Sequence, residues 1–417
     1  MAMTSETPSS SFRLSMLIYD TRYRSITIQI LFLFLFMAGA AWLIDNTMTN
    51  LAQKGKDISF DFLGSRAGYD INQRLVDYSS DSTHARAWIV GLLNTLILAV
   101  CACVTATVLG VFAGVLRLSN NWIVSKLMTI YVEMFRNVPV LLWIIVIFAV
   151  LTEITPAPNA FRGENATSSM LLFDSMAVTN RGTYVPAPLF ERSLGDINLG
   201  IVSLSTNYLV AILVIIGSVI GYRALQRNAT AVQEATGNRP VTWWKSALIL
   251  IAPIMIALVS MGVHLEYPEL KGFNFQGGGY LRNSFIAMWL ALSIYTGAFI
   301  AENVRAGILA ISSGQSEAAF ALGLRPNRTM SLVILPQALR VIIPPLISQY
   351  LNITKNTSLA IAVGYMDMRA TLGGITLNQT GRELECMMLL MLTYLIISLL
   401  ISGAMNVYNN SVKLKER

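Results

Sequence analysis

Eight apolar runs, each about long enough to cross a bilayer, constrain this 417-residue chain more than any other feature. A hydrocarbon core about 30 Å thick takes roughly 20 residues at 1.5 Å rise per residue. The runs fall at approximately 26–44, 88–116, 138–151, 202–222, 246–263, 285–300, 341–363 and 387–408. Charged residues make up only 13% of the chain, against about 25% in soluble domains, so most of its surface faces something other than water. Lipid offers no partner to open backbone groups, so the runs must be helices. A transmembrane barrel would instead alternate over about ten residues. The expected fold class is an all-α polytopic membrane protein with about eight transmembrane helices.

Eight spans put both ends of the chain on one side. Loops assigned alternately carry about 17 Lys and Arg on the N-terminal side and about 12 on the other, while acidic residues run about 7 to 16. Basic loops stay cytoplasmic, so both termini are expected there. The net charge of +7 is then a topology signal, and the basic residues do not cluster as a nucleic-acid site requires. Ala38-Gly39-Ala40 resembles a signal-peptidase site, but the long apolar run and the segment before it favour a retained anchor. Cys101, Cys103 and Cys386 lie in or beside spans and read as small packing residues. His84 and His264 are too few to hold a metal.

The loops differ in character. Segment 45–86 reads as short surface helices, and 152–200, rich in Pro, Asn, Ser and Gly, reads as irregular loop. Gly277-Gly278-Gly279 reads as a flexible tip, lacking the strand and Lys-Ser/Thr of a phosphate loop. The chain has no P-loop, so it is not expected to hydrolyse ATP itself.

Segment 302–336 is the most informative. Ser312 and Gln315 fit a capping box, Glu317 suits the first turn of a helix, and Ala318, Ala319 and Ala321 are strong helix formers. Gly323 suits a left-handed terminus, and Pro326 stops the helix. A second short helix over 327–335 is expected to end before Pro336. The predicted unit is a stiff helix–turn–helix projecting from the membrane, suited to docking on a partner.

Glu317-Ala318-Ala319, Gly323, Val333, Leu335 and Pro336, with their spacing, resemble the EAA loop of ABC importer permeases, with Val333 where Ile is usual. Gly91-Leu92-Leu93-Asn94-Thr95 and the stretch from Tyr131 to Leu141 resemble the same permease domain. Thr296 to Gly307 and Lys355-Asn356-Thr357-Ser358-Leu359 narrow the resemblance to the polar-amino-acid (histidine permease) branch. The layout is similar to the larger permease of general L-amino-acid systems of the Aap and Bzt type. The resemblance implies a MetI-like type I importer core with additional spans: an N-terminal anchor and external segment (1–86), a permease domain (87–410) interrupted at about 155–283 by a block with two extra helices, and a cytoplasmic tail (411–417). It also implies a second permease as heterodimer partner, two ATPase subunits that carry ATP and Mg and grip the EAA loop, and a periplasmic amino-acid-binding protein. The chain itself would bind no cofactor. An ion-gradient-driven secondary transporter is the alternative, although such folds place acidic residues at mid-membrane and the eight runs hold none.

Within the spans, Lys355 is the one charge well inside a run, and intramembrane charges are costly and usually functional. With Asn356, Thr357 and Ser358 it is a candidate lining of the translocation path, or else a lysine paired structurally. Asn94, Thr95, Ser293, Tyr295 and Thr296 are further path candidates, with helix-to-helix hydrogen bonding as the competing reading. Glu302 and Arg305 share a helix face and are a candidate coupling brace. Glu133, Arg136 and Pro139 suggest a kink before the third span.

Overall fold

The computed structural model describes residues 16–53, 55, 57–163, 166–198 and 203–412. The chain divides into two units, 1–60 and 61–417. In the first, α1 (Thr21–Gln53) runs unbroken through Ala38-Gly39-Ala40. Its 33 residues span about 50 Å, and its apolar side chains are open along its length.

The second unit holds α2 (His84–Leu116), α3 (Trp122–Asn137), α4 (Val140–Glu153), α5 (Thr206–Thr236), α6 (Trp243–Ser260), α7 (Asn283–Leu309), α8 (Ser313–Ala321), α9 (Leu335–Asn356) and α10 (Glu383–Val412). Among the described residues seven helical segments are long and apolar enough to cross a membrane, and an eighth if α3 and α4 count as one bent span. Helix α7 is the central member, pressed along α2. Small residues permit the approach, as is common where lipid supplies no hydrophobic drive. A Cβ on Gly110 would stand 2.5 Å from Ile300 Cβ and 2.8 Å from the Gly297 carbonyl. Leu98, Ala102, Ala106, Met288, Ala291, Leu292 and Ile300 form the buried seam.

The kink expected before the third span is present, while several other expectations change. Helix α4 has 14 residues, about 21 Å, and meets α3 at 107°. Pro139 causes the bend, because the residue before a proline is pushed out of the helical region, and Val138 is extended at φ −113°, ψ 134°. Phe135 and Trp143 close the corner with ring centroids 4.2 Å apart.

The segment 152–200 is not irregular. It contributes β1 (Ala177–Thr179), β2 (Gly182–Val185), β3 (Ala187–Phe190) and β4 (Asp196–Asn198); after them come β5 (Ser203–Ser205), β6 (Val263–Glu266), β7 (Glu269–Lys271), β8 (Asn274–Gln276) and β9 (Gly279–Arg282). All pairs are antiparallel, in the sets β1-β2-β9, β3-β6, β4-β5 and β7-β8. Strands of three or four residues are too short to show alternation, and the partners that fix β2 and β3 lie about 75 to 100 residues further on. Gly277 and Gly278 are therefore a packed turn and no loose tip: both have positive φ, and a Cβ on Gly278 would come within 2.5 Å of the Val185 carbonyl. Among its described residues, segment 45–86 holds the end of α1, one 3-10 turn, Asp61–Gly64, and the start of α2, in place of several surface helices.

The arm after Pro326 does not stop before Pro336. A helical turn, Pro326–Thr329, passes through a π turn, Met330–Ile334, directly into α9. Pro336 has no N–H to donate, and the wider π register just before it absorbs that loss.

Candidate docking loop and translocation path

Helix α8 projects between α7 and the arm leading to α9 at the end of the unit where α2 and α7 finish. Ser312 takes the N-cap position, but its side chain makes no cap bond; the Gln315 side chain instead accepts from Gln337 Nε2 at 3.4 Å, so the expected capping box is absent. Glu317 is the fifth helical residue, beyond the first turn. The C-terminus follows expectation: Gly323 is left-handed at φ 77°, its N–H donates to the Phe320 carbonyl, and Leu324 N–H donates to Ala319 at 3.1 Å. That pair of bonds is a Schellman termination. Ala319 is buried and seats the helix, while Glu317, Ala318, Phe320, Gly323, Leu335 and Pro336 are open to solvent. The loop is thus a stiff knob with an apolar, lightly charged surface.

A charge cluster lies directly behind it. Glu302 pairs with Arg305 at 2.6 Å, as their spacing suggests. It also holds Arg117 at the end of α2, whose guanidinium reaches Thr129 Oγ1 at 3.2 Å and Glu133 at 3.5 Å on α3. Arg117 therefore joins three helices. Arg136 stacks over Phe299 at 5.4 Å, tying α3 to α7 again. The sequence reading missed Arg117 because 185 residues separate it from Glu302 and no spacing rule links them.

The path candidates separate into two sets. Asn94 and Thr95 are buried about 15 Å into α2. Asn94 Nδ2 donates to the Gln73 and Met366 carbonyls at 2.7 and 2.8 Å, and Thr95 accepts from Met368 N–H at 3.0 Å. Ser293 is buried against Thr105 and donates to Trp289, Thr296 is buried, and Tyr295 packs on Phe299. These side chains are engaged within the unit. Thr357 is buried and donates to Thr354, and Ser358 donates to the Lys355 carbonyl. Lys355 faces outward, with Asn352 and Ser348 above it at helical spacing. Asn356 is half-buried beside them. A polar stripe on an apolar span has no favourable contact with lipid.

Between α9 and α10 the chain folds back into the unit, a feature the apolar runs did not reveal. A 3-10 stretch (Thr357–Val363) ends at left-handed Gly364, and a π turn (Thr371–Thr376) follows. Tyr365 is buried with its hydroxyl donating to the Asn94 carbonyl at 3.0 Å. Thr376 Oγ1 meets His84 Nδ1 at 2.9 Å and Tyr69 Oη at 3.2 Å. The acidic residue of this segment, Asp367, is fully buried and caps the turn at Ala370. Its only sequence signal was a carboxylate four residues after an apolar run.

Lipid-length helices, a folded-back segment clasped between α2 and α10, and a capped knob outside the spans define an integral-membrane permease subunit. The chain belongs to the binding-protein-dependent ABC permeases of the inner membrane. Residues 239–414 match the family described as "Binding-protein-dependent transport system inner membrane component". The chain is 61% identical to "Glutamate/glutamine/aspartate/asparagine transport system permease protein BztB" of Rhodobacter capsulatus, over the whole of both chains. It is 42% identical to "General L-amino acid transport system permease protein AapQ" of Rhizobium johnstonii, over 98% of this chain and 96% of that one. It is 45% identical to "Putative amino-acid ABC transporter permease protein YhdX" of Escherichia coli, over 90% and 91%. It is a multi-pass, non-enzymatic subunit of an ATP-driven importer, not an ion-gradient transporter, and ATP hydrolysis belongs to its partner subunits.

Proposed function

We propose that this chain forms one half of the path by which an L-amino acid crosses the inner membrane, and that α8 is the handle by which a cytoplasmic ATPase moves it. The observation that carries this reading is the stiff knob: a helix closed by a Schellman bond pair, seated by Ala319, with Glu317 and Ala318 left open beside Leu335 and Pro336. A lever must transmit displacement without bending, and this one continues through Pro326–Thr329 into α9 without a flexible joint. The Glu302–Arg305 brace lies on α7 itself, next to the knob, and through Arg117 it passes the displacement on to α2 and α3.

The stripe of Ser348, Asn352 and Lys355 is the wall that faces the path, and a second, different permease chain supplies the opposite wall. Lys355 favours the substrate carboxylate and disfavours cationic side chains, in keeping with the acidic and amide amino acids named for the Rhodobacter relative. Asn94, Thr95, Ser293, Tyr295 and Thr296 shape the path by holding the helices that flank it. Both termini and the knob lie on the basic, cytoplasmic side. Two ATPase subunits bind ATP and Mg, this chain binds no cofactor, and a periplasmic binding protein delivers the amino acid at the opposite end. Deleting residues 317–323 abolishes co-purification of the ATPase while membrane insertion persists; an undiminished ATPase yield in the purified complex would overturn the assignment of the handle.

A further inference from the structure

Asp367 is the most enclosed carboxyl among the described residues, with no exposure, and nothing in the proposed path uses its charge. It stands in the folded-back segment between α2 and α10, outside the membrane-length helices. Oδ1 accepts the Ala370 N–H at 2.8 Å. Oδ2 is buried and makes no hydrogen bond of normal geometry; the polar side chain set beside it is the hydroxyl of Tyr394 on α10, which also lies near Thr357. The charged and titratable groups facing it are few. Arg369 is on its own segment, but that guanidinium turns to the Gly373 carbonyl. Tyr394 comes from α10, and Tyr365 is engaged with the Asn94 carbonyl of α2. From α2 itself the contacts come through Gly91 and Thr95, which are neutral.

A carboxylate oxygen left in such a place without a donor costs several kcal/mol, and a buried acid escapes that cost by keeping its proton. The neutral acid also gains a donor: Oδ2–H can point at the Tyr394 oxygen, which leaves the tyrosine's own O–H for Thr357. We propose that Asp367 is a proton-binding site, and that the neutral carboxyl pins the folded-back segment to α10 near the path-lining Lys355. The inference stands on the segment's geometry and does not require the docking role of α8.

Burial pushes the Asp367 carboxyl up to about 7 from the ordinary carboxylate range. The folded segment therefore keeps a proton that the unfolded chain releases near pH 4. Its stability falls as pH rises between those two values and is flat above the upper one.

The test uses the full chain purified with its partner subunits, as wild type and as Asp367→Asn, which keeps the shape and supplies a permanent donor. Infrared spectra taken at stepped pH give a carboxylic-acid C=O band in wild type at pH 6. That band is missing from Asp367→Asn and fades in wild type as the pH passes the upper value. Uptake by Asp367→Asn in proteoliposomes stays within about twofold of wild type at pH 6 and varies less with pH. A difference spectrum with no acid band at any pH overturns the proposal. So does a tenfold or greater loss of uptake in Asp367→Asn with assembly intact, since it would mean that the charged form is the working one.

Discussion

Replacing Arg117 by Ala removes the charged tie between the knob-bearing helix α7 and α3, leaving Arg136 over Phe299 as a second contact. The bond to Glu302 joins two charges with side-chain exposures of 13% and 24%, and a charge-assisted bond in such a setting contributes about 1.5–3 kcal/mol. The bond to Thr129 at 3.2 Å adds about 1 kcal/mol. The contact with Glu133 is 3.5 Å long to a half-exposed carboxylate, and such pairs contribute close to zero. Glu302 keeps Arg305 in the variant, so no carboxylate is stranded and the cost is limited to that sum, about 2.5–4 kcal/mol. That changes the population of the joined state by roughly 70- to 850-fold. In reconstituted complexes the ATP hydrolysed per amino acid transported therefore rises at least several-fold while the complex still assembles. Arg117→Lys keeps one partner and lies between. Lys126→Ala, an exposed cation on the neighbouring helix α3, changes nothing. A transport-to-hydrolysis ratio in Arg117→Ala equal to wild type would refute the claim that this arginine joins the helices mechanically.

Two further outcomes test other parts of the structure. Gly323→Val adds a side chain into open space but forces a β-branched residue to φ 77°; it costs the terminus about 1–2 kcal/mol and weakens ATPase association roughly tenfold, read by co-purification at graded detergent or salt. Asn94→Leu strands the Gln73 and Met366 carbonyls at about 1–3 kcal/mol each, and a cysteine placed at exposed Gly364 becomes labelled faster; unchanged labelling would argue that the segment is held by other contacts.

The spans, their helical nature and the knob were legible because each follows from local chemistry. Lipid forbids open backbone groups, so run length alone dictates helices for 88–116 or 387–408. Ala318, Ala319 and Gly323 announce a short helix and its end without reference to anything distant. The β pairs were illegible for the opposite reason: Thr183 finds Leu281 only once the chain has returned from α5 and α6.

The same division runs through the site. Glu302 and Arg305 are three residues apart, and composition was enough to pair them. Arg117, 185 residues earlier, joins them only because Gly110 and Gly114 let α2 lie flat on α7. Among the polar residues of the spans, the sequence could identify Asn94, Ser293 and Lys355 but not sort them. Burial did so, turning the first two inward to hydrogen bonds and leaving the third on an open face. Sequence determined what must leave water and in what form, since transfer energies and backbone bonding are local properties. Tertiary structure decided which polar groups meet each other and which, like the Asp367 carboxyl, are shut away from water, since enclosure is set by all the neighbours together.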